Sequence, residues 1–474
     1  MASVMTNSLS IESGAIAVPE PDASGVRVYK GIPYAAPPIG PLRWRPPEPV
    51  AARTGVRPTH DFGAHSVQGV VWDDIDLGGA AISEDCLYLN VWTPAAPWTK
   101  AHLPVMVWIH GGGFVAGSGA EPRYDGARLA ARGIVVVTVN HRLNALGFLA
   151  HPELTAESDH HASGNYGLHD LVAALQWVQR NIAAFGGDPD KVTIAGESAG
   201  SQAASALMAS PLAKGLFARV IGESGSMFAS PSRAPVTLAE AEAAGLDFMR
   251  KVGARSLAEL RAAPADAILA AAPGVGFRPI IDGWFLPRAP AEIFAAGEHS
   301  DVPLMAGWNK DEGFNFTLHQ GDDAKRPYVD LARAIFDERT EALLQHYPGG
   351  SPETDAASAR ALGGDLVIIH PTWAWIEAQK HAAAPTFFAS VSTVRLLRRK
   401  AGLASVTVAT LAPSMRANSF MSLTISTHSH GCMKTPIARW RNWRRATGSI
   451  SSRPEIPTGQ TCRIGRPTAA RAVR

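Results

Sequence analysis

Acidic residues all but vanish from the end of this 474-residue chain. Residues 391–474 hold one, Glu455, against 15 lysines and arginines, a local charge of +14. The remaining 390 residues hold 29 basic and 41 acidic residues, a charge of −12, so the overall +2 joins two unlike segments. Cysteine is equally scarce: Cys86, Cys432 and Cys462 are too few for a disulfide framework in a chain this long. No stretch approaches the ~18 consecutive apolar residues of a membrane span, and the first residues lack the basic and apolar regions of a secretory signal. Disorder is excluded by composition, because 46% hydrophobic and 18% charged residues supply a large core. We therefore expect a soluble, cytoplasmic chain without membrane attachment. The basic residues of the tail scatter among Ser, Thr, Pro and Ala without a helical period or a compact cluster, so no nucleic-acid partner is expected either.

Short apolar runs then mark a sheet. Residues 86–92 (C-L-Y-L-N-V-W), 104–110 (P-V-M-V-W-I-H), 134–141 (I-V-V-V-T-V-N-H) and 191–196 (K-V-T-I-A-G) have the length and continuous hydrophobicity of buried strands. Residues 218–224, 302–307 and 385–391 read the same way. Between the third and fourth runs, Leu171, Ala174, Leu175, Val178, Ile182 and Phe185 recur at helical spacing, with Gly186-Gly187-Asp188-Pro189 as a stop signal. Residues 237–272 and 357–384 lean helical. Strand alternating with helix is the rhythm of a parallel α/β sheet. Residues 26–50 carry so many prolines that a loop is expected there.

Chemistry concentrates after two of these strands. Gly196-Glu197-Ser198-Ala199-Gly200 follows residues 191–196 and precedes a helix candidate at 202–208. Flanking glycines allow a sharp strand-to-helix turn that projects the serine oxygen at the sheet's C-terminal edge. With 44 glycines, a chance G-x-S-x-G is expected on the order of 0.3 times, so its position after a strand is what gives the pattern weight. His110-Gly111-Gly112-Gly113-Phe114 also follows a strand. Three glycines let the backbone aim N–H groups at one point, where with the Ala199 amide they can hold the oxygen of a tetrahedral intermediate. A phosphate loop is the alternative, but no Lys-Ser/Thr follows and the G-x-G-x-x-G spacing is absent.

With these two elements the chain resembles the type-B carboxylesterases of the α/β-hydrolase superfamily, a group that includes para-nitrobenzyl esterases, liver carboxylesterases and cholinesterases. The likeness spans roughly residues 10–390: K-G-I-P-Y-A at 30–35, E-D-C-L-Y-L-N-V-W at 84–92, H-G-G-G-F, N-H-R-L-N-A-L-G-F-L at 140–149, G-N-Y-G-L-H-D at 164–170, A-F-G-G-D-P at 184–189 and G-E-S-A-G-S. It implies an α/β-hydrolase fold with a mostly parallel sheet flanked by helices. It also implies hydrolysis of a small-molecule ester through a Ser-Glu-His triad and an acyl-enzyme, with neither metal nor cofactor. Residue by residue, Ser198 matches the nucleophile, Gly112, Gly113 and Ala199 the oxyanion donors, and Glu312 in N-K-D-E-G (309–313) the triad acid. Read alone, Asp311-Glu312 is an exposed acidic pair. Ser224 matches a serine near the site, with Glu223 where glutamine is usual. Cys86 aligns with a cysteine paired in exported relatives, but residues 62–68 offer no partner, which leaves it a small, buried side chain. Trp108, Phe114, Phe277 and Phe316 are candidates for a substrate pocket or for core packing. The second functional class is a catalytically silent, cholinesterase-like binding module; retention of Ser198 argues against it.

What the chain lacks is the base. The resemblance places a histidine in a short loop about 25–30 residues after the strand at 385–391, and only His428 and His430 lie beyond residue 381. His430-Gly431 mimics the loop dipeptide but comes some 40 residues after the strand and is followed by Cys432-Met433, without an acid. A reading-frame shift near residues 390–395 explains both the +14 segment and the absent histidine. If each codon starts at the third base of the written one, Ser414-Met415 yields histidine when the serine codon ends in C. Residues 411–420 can then read G-A-V-H-A-R-E-F-V, residues 432–439 H-E-D-A-Y-R, and residues 446–459 Y-W-L-N-F-V-A-P-G-D-P-N-G, in the order of the family's C-terminal segment. We accordingly expect an α/β-hydrolase domain over 1–390, incomplete at its C-terminal end, and an out-of-frame, poorly ordered basic tail over 391–474. The expected consequence is an esterase crippled by its missing histidine.

Overall fold

The computed structural model describes residues 8–72, 74–230, 235–314, 316, 318, 326–379, 382–399 and 402–413. Nine strands form one sheet: β1 (Arg27–Pro33), β2 (Tyr88–Thr93), β3 (Leu103–Ile109), β4 (Val135–Val139), β5 (Gly187–Glu197), β6 (Arg219–Glu223), β7 (Leu304–Asn309), β8 (Thr386–Arg399) and β9 (Gly402–Pro413). Their spatial order is β9-β8-β7-β6-β5-β3-β4-β2-β1. The six from β8 to β4 run parallel, while β9, β2 and β1 each join antiparallel. A small second sheet pairs Ser8–Ile11, Gly14–Ala17 and Val56–Arg57.

The parallel strands are continuous apolar runs because both faces are covered. Val105, Val107, Ile109, Val135, Val137, Val139, Val192 and Ile194 are all buried. Each such side chain removed from water contributes about 1.5–3 kcal/mol. Helix α1 (Tyr166–Asn181) lays Leu168, Leu171, Leu175 and Val178 on this core, and a left-handed Gly186 ends the following turn before β5. From β3 the chain adds β4 on one side and returns to place β5 on the other. Loops leaving β3 and β5 thus diverge at a switch point, where open parallel sheets bind ligands beyond their C-terminal ends.

Two of the sequence motifs turn out to be the brace beneath that point. Arg142, in the loop after β4, donates from Nε and Nη2 to the Asp170 carboxylate on α1 at 2.6–3.2 Å, and its amide donates to the same carboxylate at 2.9 Å. Both side chains are buried. Asn144, in the same loop, donates from Nδ2 to the Val115 carbonyl (2.9 Å) and from its amide to the Phe114 carbonyl (2.8 Å), so it holds the glycine loop from behind.

The structure corrects one expectation and lengthens others. Residues 26–50 are not wholly loop: Arg27–Pro33 is β1, tolerated because it is the outer strand and Pro33 is its last residue, where no ladder donor is needed. The strand expected at 385–391 runs on to Arg399, through a stretch that includes the β-branched Val391, Thr393 and Val394, and turns back as β9. The helical stretch at 237–272 is three helices, Leu238–Val252, Leu257–Ala262 and Ala265–Ala271, broken at Gly253 and Pro264. Cys86 is fully buried and unpaired, and burial pushes its thiol up to about 12. Ser414–Phe420, His428 and His430 lie outside the described residues.

Candidate active site

Ser198 stands between β5 and the helix α2 (Ala199–Ala209), at φ 54° and ψ −118°. Few residues other than glycine take that conformation, which costs about 1–3 kcal/mol. The turn is tight enough to require glycine behind it. A Cβ on Gly200 would lie 2.0 Å from the Ile109 carbonyl oxygen, so the first turn of α2 rests directly on the end of β3. The Ser198 amide donates to the Glu223 carbonyl at 2.8 Å, which ties the elbow to β6.

The glycine loop leaves β3 beside it. Gly112 has φ 103°, and a Cβ there would sit 2.1 Å from the Ala116 carbonyl, whose own amide donates back to the Gly112 carbonyl at 3.0 Å. Among the described residues no acceptor pairs with the amides of Gly112, Gly113 or Ala199. Free donors beside a nucleophile are what a developing oxyanion requires.

Glu312 opens a short 3-10 turn (Glu312–Phe314) after β7. Its Oε1 accepts from Ser224 Oγ at 2.6 Å, from the Asn309 amide at 2.7 Å and from Asn309 Nδ2 at 3.1 Å. Three donors on one oxygen fix the carboxylate and leave Oε2 unpaired among the described residues. Ser224 is buried, at φ 59°, and its amide donates to the Gly307 carbonyl. Asp311 is exposed and Glu312 half-buried, so the acidic pair divides into one solvated and one positioned member.

A cavity of about 650 Å³ opens over these groups. Gly111, Gly112, Gly113, Ser198, Ser224 and Glu312 line it, together with the apolar Trp72, Phe114, Met227, Phe228, Phe277 and Phe316. Of the four aromatic candidates, Phe114, Phe277 and Phe316 are thus in the wall. Trp108 is not: it lies on β3 with its ring 5.3 Å from that of Tyr124.

Charge in the cavity was only partly legible from sequence. Glu197, a wildcard position of the G-x-S-x-G pattern, lines the cavity, and burial, then Glu312 and Glu223, pushes it up to about 7. Asp74 and Arg123 pair at 3.1 Å, and Arg123 also holds Glu121 at 2.6 Å. Arg278 lines the cavity and carried no sequence signal at all.

No histidine is among the described residues lining the cavity. His110, adjacent in sequence, is buried, stacks on His141 with ring centroids 4.8 Å apart and engages the Gly111 carbonyl through Nδ1. Burial and the neighbouring His141 push it down to about 3. It is a packing residue. The described residues contain no cluster of three or more His, Cys, Asp or Glu able to hold a metal, and no helix long and apolar enough to cross a membrane.

The sequence model of the Carboxylesterase family matches residues 9–398. Fumonisin B1 esterase of Sphingopyxis macrogoltabida is 40% identical over 362 residues, 75% of this chain and 65% of that protein. The chain therefore spans a little under two thirds of that relative's length. Para-nitrobenzyl esterase of Bacillus subtilis (strain 168) is 38% identical over 377 residues, 76% of this chain and 74% of that one. Among solved structures, the carboxylesterase of Geobacillus stearothermophilus is similar with a TM-score of 0.72 at 35% identity, covering 85% of this chain and 82% of its own. The family match runs from the small N-terminal sheet into β8, the architecture is shared with a solved carboxylesterase, and the chain belongs to the carboxylesterase family.

Proposed function

We propose that the chain is a serine ester hydrolase whose catalytic base is not supplied by its described residues. Ser198 Oγ attacks the ester carbonyl, and the amides of Gly112, Gly113 and Ala199 take the negative oxygen of the tetrahedral intermediate. Glu312, fixed by Ser224 and Asn309, is placed to accept a proton-bearing imidazole nitrogen and hold that ring toward Ser198. The observation that carries this reading is the convergence of a strained serine, unpaired amides and a thrice-bonded carboxylate on one cavity.

The histidine belongs to the frame-shifted reading of residues 411–420. Supporting it is a family match that stops at residue 398, close to where the acids disappear. Without the base, an acyl-transfer triad retains only a residual ~10³–10⁴ over the uncatalysed reaction. The chain as written is therefore a poor esterase, acting where no metal or cofactor is needed. Sequencing the coding DNA is one test, since a Ser414 codon ending other than in C removes the shifted histidine. Turnover of para-nitrophenyl butyrate is the other. Full activity of the written polypeptide, abolished by His430→Ala, overturns the frame-shift and makes His430 the base. Fluorophosphonate labelling of Ser198 in a chain whose restored frame supplies the histidine separates an enzyme from a silent binding module; in the written chain, weak labelling is expected of both.

A further inference from the structure

We propose that Arg278 is a specificity-determining residue that receives a free carboxylate on the substrate, so that the preferred esters are half-esters of aliphatic dicarboxylic acids. The inference rests on the ester-hydrolase reading of the cavity and names its substrate class.

Two arginines are among the described residues that line the cavity, and they differ in what they touch. Arg123 is spent on Asp74 and Glu121. Arg278 has no ion pair or hydrogen bond among the described residues, although it is half-buried. Among the described residues burial alone acts on its guanidinium, holding it below its ordinary range, and no described carboxylate lies near enough to offset that. A cation that gives up water without a partner is destabilising unless something else supplies the anion, and a guanidinium is best matched by a carboxylate taken on two parallel N–H donors.

The placement of Arg278 is built into the fold. Asn165, at the start of α1, donates from Nδ2 to the Ile280 carbonyl and accepts from the Ile280 amide through Oδ1, both at 2.9 Å. Ile281 exchanges backbone bonds with Val236 and Leu238. Phe277 packs against Phe248 with centroids 4.9 Å apart. Arg278 therefore sits on a segment anchored on both sides. The lining sets the apolar Phe277, Pro279, Val236, Met227 and Phe228 beside the neutral Ser226, Ser230 and Gln202. One unpaired cation in a wall with these apolar side chains fits a methylene chain that ends in a carboxylate. The cavity's described acids do not compete for it: Asp74 is paired, Glu312 is held by Ser224 and Asn309, Asp311 faces solvent, and the cation that acts on Glu197 is Arg123 and not Arg278.

The test uses the full chain and two anilides, N-phenylglutaramic acid, which is anionic, and N-phenylhexanamide, its neutral counterpart of similar length, each checked for the absence of released aniline. Titration calorimetry at low ionic strength should show the anionic amide binding at least tenfold tighter. Arg278→Gln should weaken that binding by about 10- to 100-fold, the range of one charge-assisted contact, and leave the neutral amide unchanged. Arg278→Lys should recover part of the loss. Equal affinity for the two amides, no binding of either, or an unchanged anionic affinity in Arg278→Gln overturns the proposal. Fluorophosphonate labelling is scored separately. Selective binding by a chain whose Ser198 stays unlabelled even when the shifted frame that encodes the histidine is restored refutes the hydrolase reading and keeps the carboxylate site, and labelling with unselective binding does the reverse.

Discussion

Replacing Ser198 by glycine should make the protein more stable while removing the proposed nucleophile. The backbone there stands at φ 54° and ψ −118°, a conformation that costs a side-chain-bearing residue about 1–3 kcal/mol and glycine almost nothing. Ser198 occupies the N-cap of α2 but makes no side-chain capping bond, so its hydroxyl contributes no compensating hydrogen bond there. Ser198→Ala keeps the strain and Ser198→Gly releases it, less about 0.4–1 kcal/mol for the greater freedom of glycine in the unfolded chain. The difference between the two variants should be about 0.5–2 kcal/mol in favour of glycine. At ~2.1 cal/mol/K per residue over a folded body of about 390 residues, the unfolding entropy is ~0.8 kcal/mol/K, so glycine should melt roughly 1–2 °C above alanine. Denaturant midpoints at matched slopes give the same comparison without the heat step. Both variants must lose fluorophosphonate labelling. A Ser198→Gly protein no more stable than Ser198→Ala would show that the turn stores no strain, and the account of the elbow would fail with it.

Three further perturbations follow from the site and its brace. Asp170→Ala leaves the buried Arg142 guanidinium without its counter-charge and should cost about 3–5 kcal/mol by denaturant unfolding; a loss below 1 kcal/mol would contradict the brace. Gly200→Ala drives a Cβ against the Ile109 carbonyl, so α2 must shift, which should cost about 1–3 kcal/mol and slow labelling of Ser198 by tenfold or more. An unchanged labelling rate would show that the elbow tolerates the shift. Glu197, pushed up to about 7, keeps its proton in the folded chain after the unfolded chain has lost it. Stability should accordingly fall as pH rises from about 4.5 to 7 and level off above, and Glu197→Gln should flatten that slope and gain about 1–3 kcal/mol at pH 8. Parallel pH profiles for the two proteins would refute it.

Much of the fold can be read from the chain because parallel strands covered on both faces are uninterrupted apolar runs, as at 104–110, 134–141 and 191–196. Ser198, the glycine loop and Glu312 each follow such a run directly, so their approach to one another depends on strand order alone. Proline content misdirects at β1, since it excludes a central strand but not an outer one. Glu197 and Arg278 escape notice for another reason. Glu197 occupies a variable motif position, and Arg278 reaches the cavity only through the Asn165–Ile280 bonds, 115 residues apart in sequence. Nothing local in F-R-P announces such a contact.

The position of β7 in the sheet also bears on how the chain is made. Its partners are β6, synthesised earlier, and β8, which begins at Thr386, some 77 residues after β7 ends at Asn309. At about 5–20 residues per second, a ribosome needs roughly 4–15 s to cover that distance. During that interval the strand that leads into Glu312 has one row of backbone donors and acceptors unpaired, the condition under which sheets recruit foreign strands. A lesion at or after β8 therefore lengthens the window in which the nascent chain is open to aggregation and chaperone capture, and low yield of folded protein would precede any deficit in turnover.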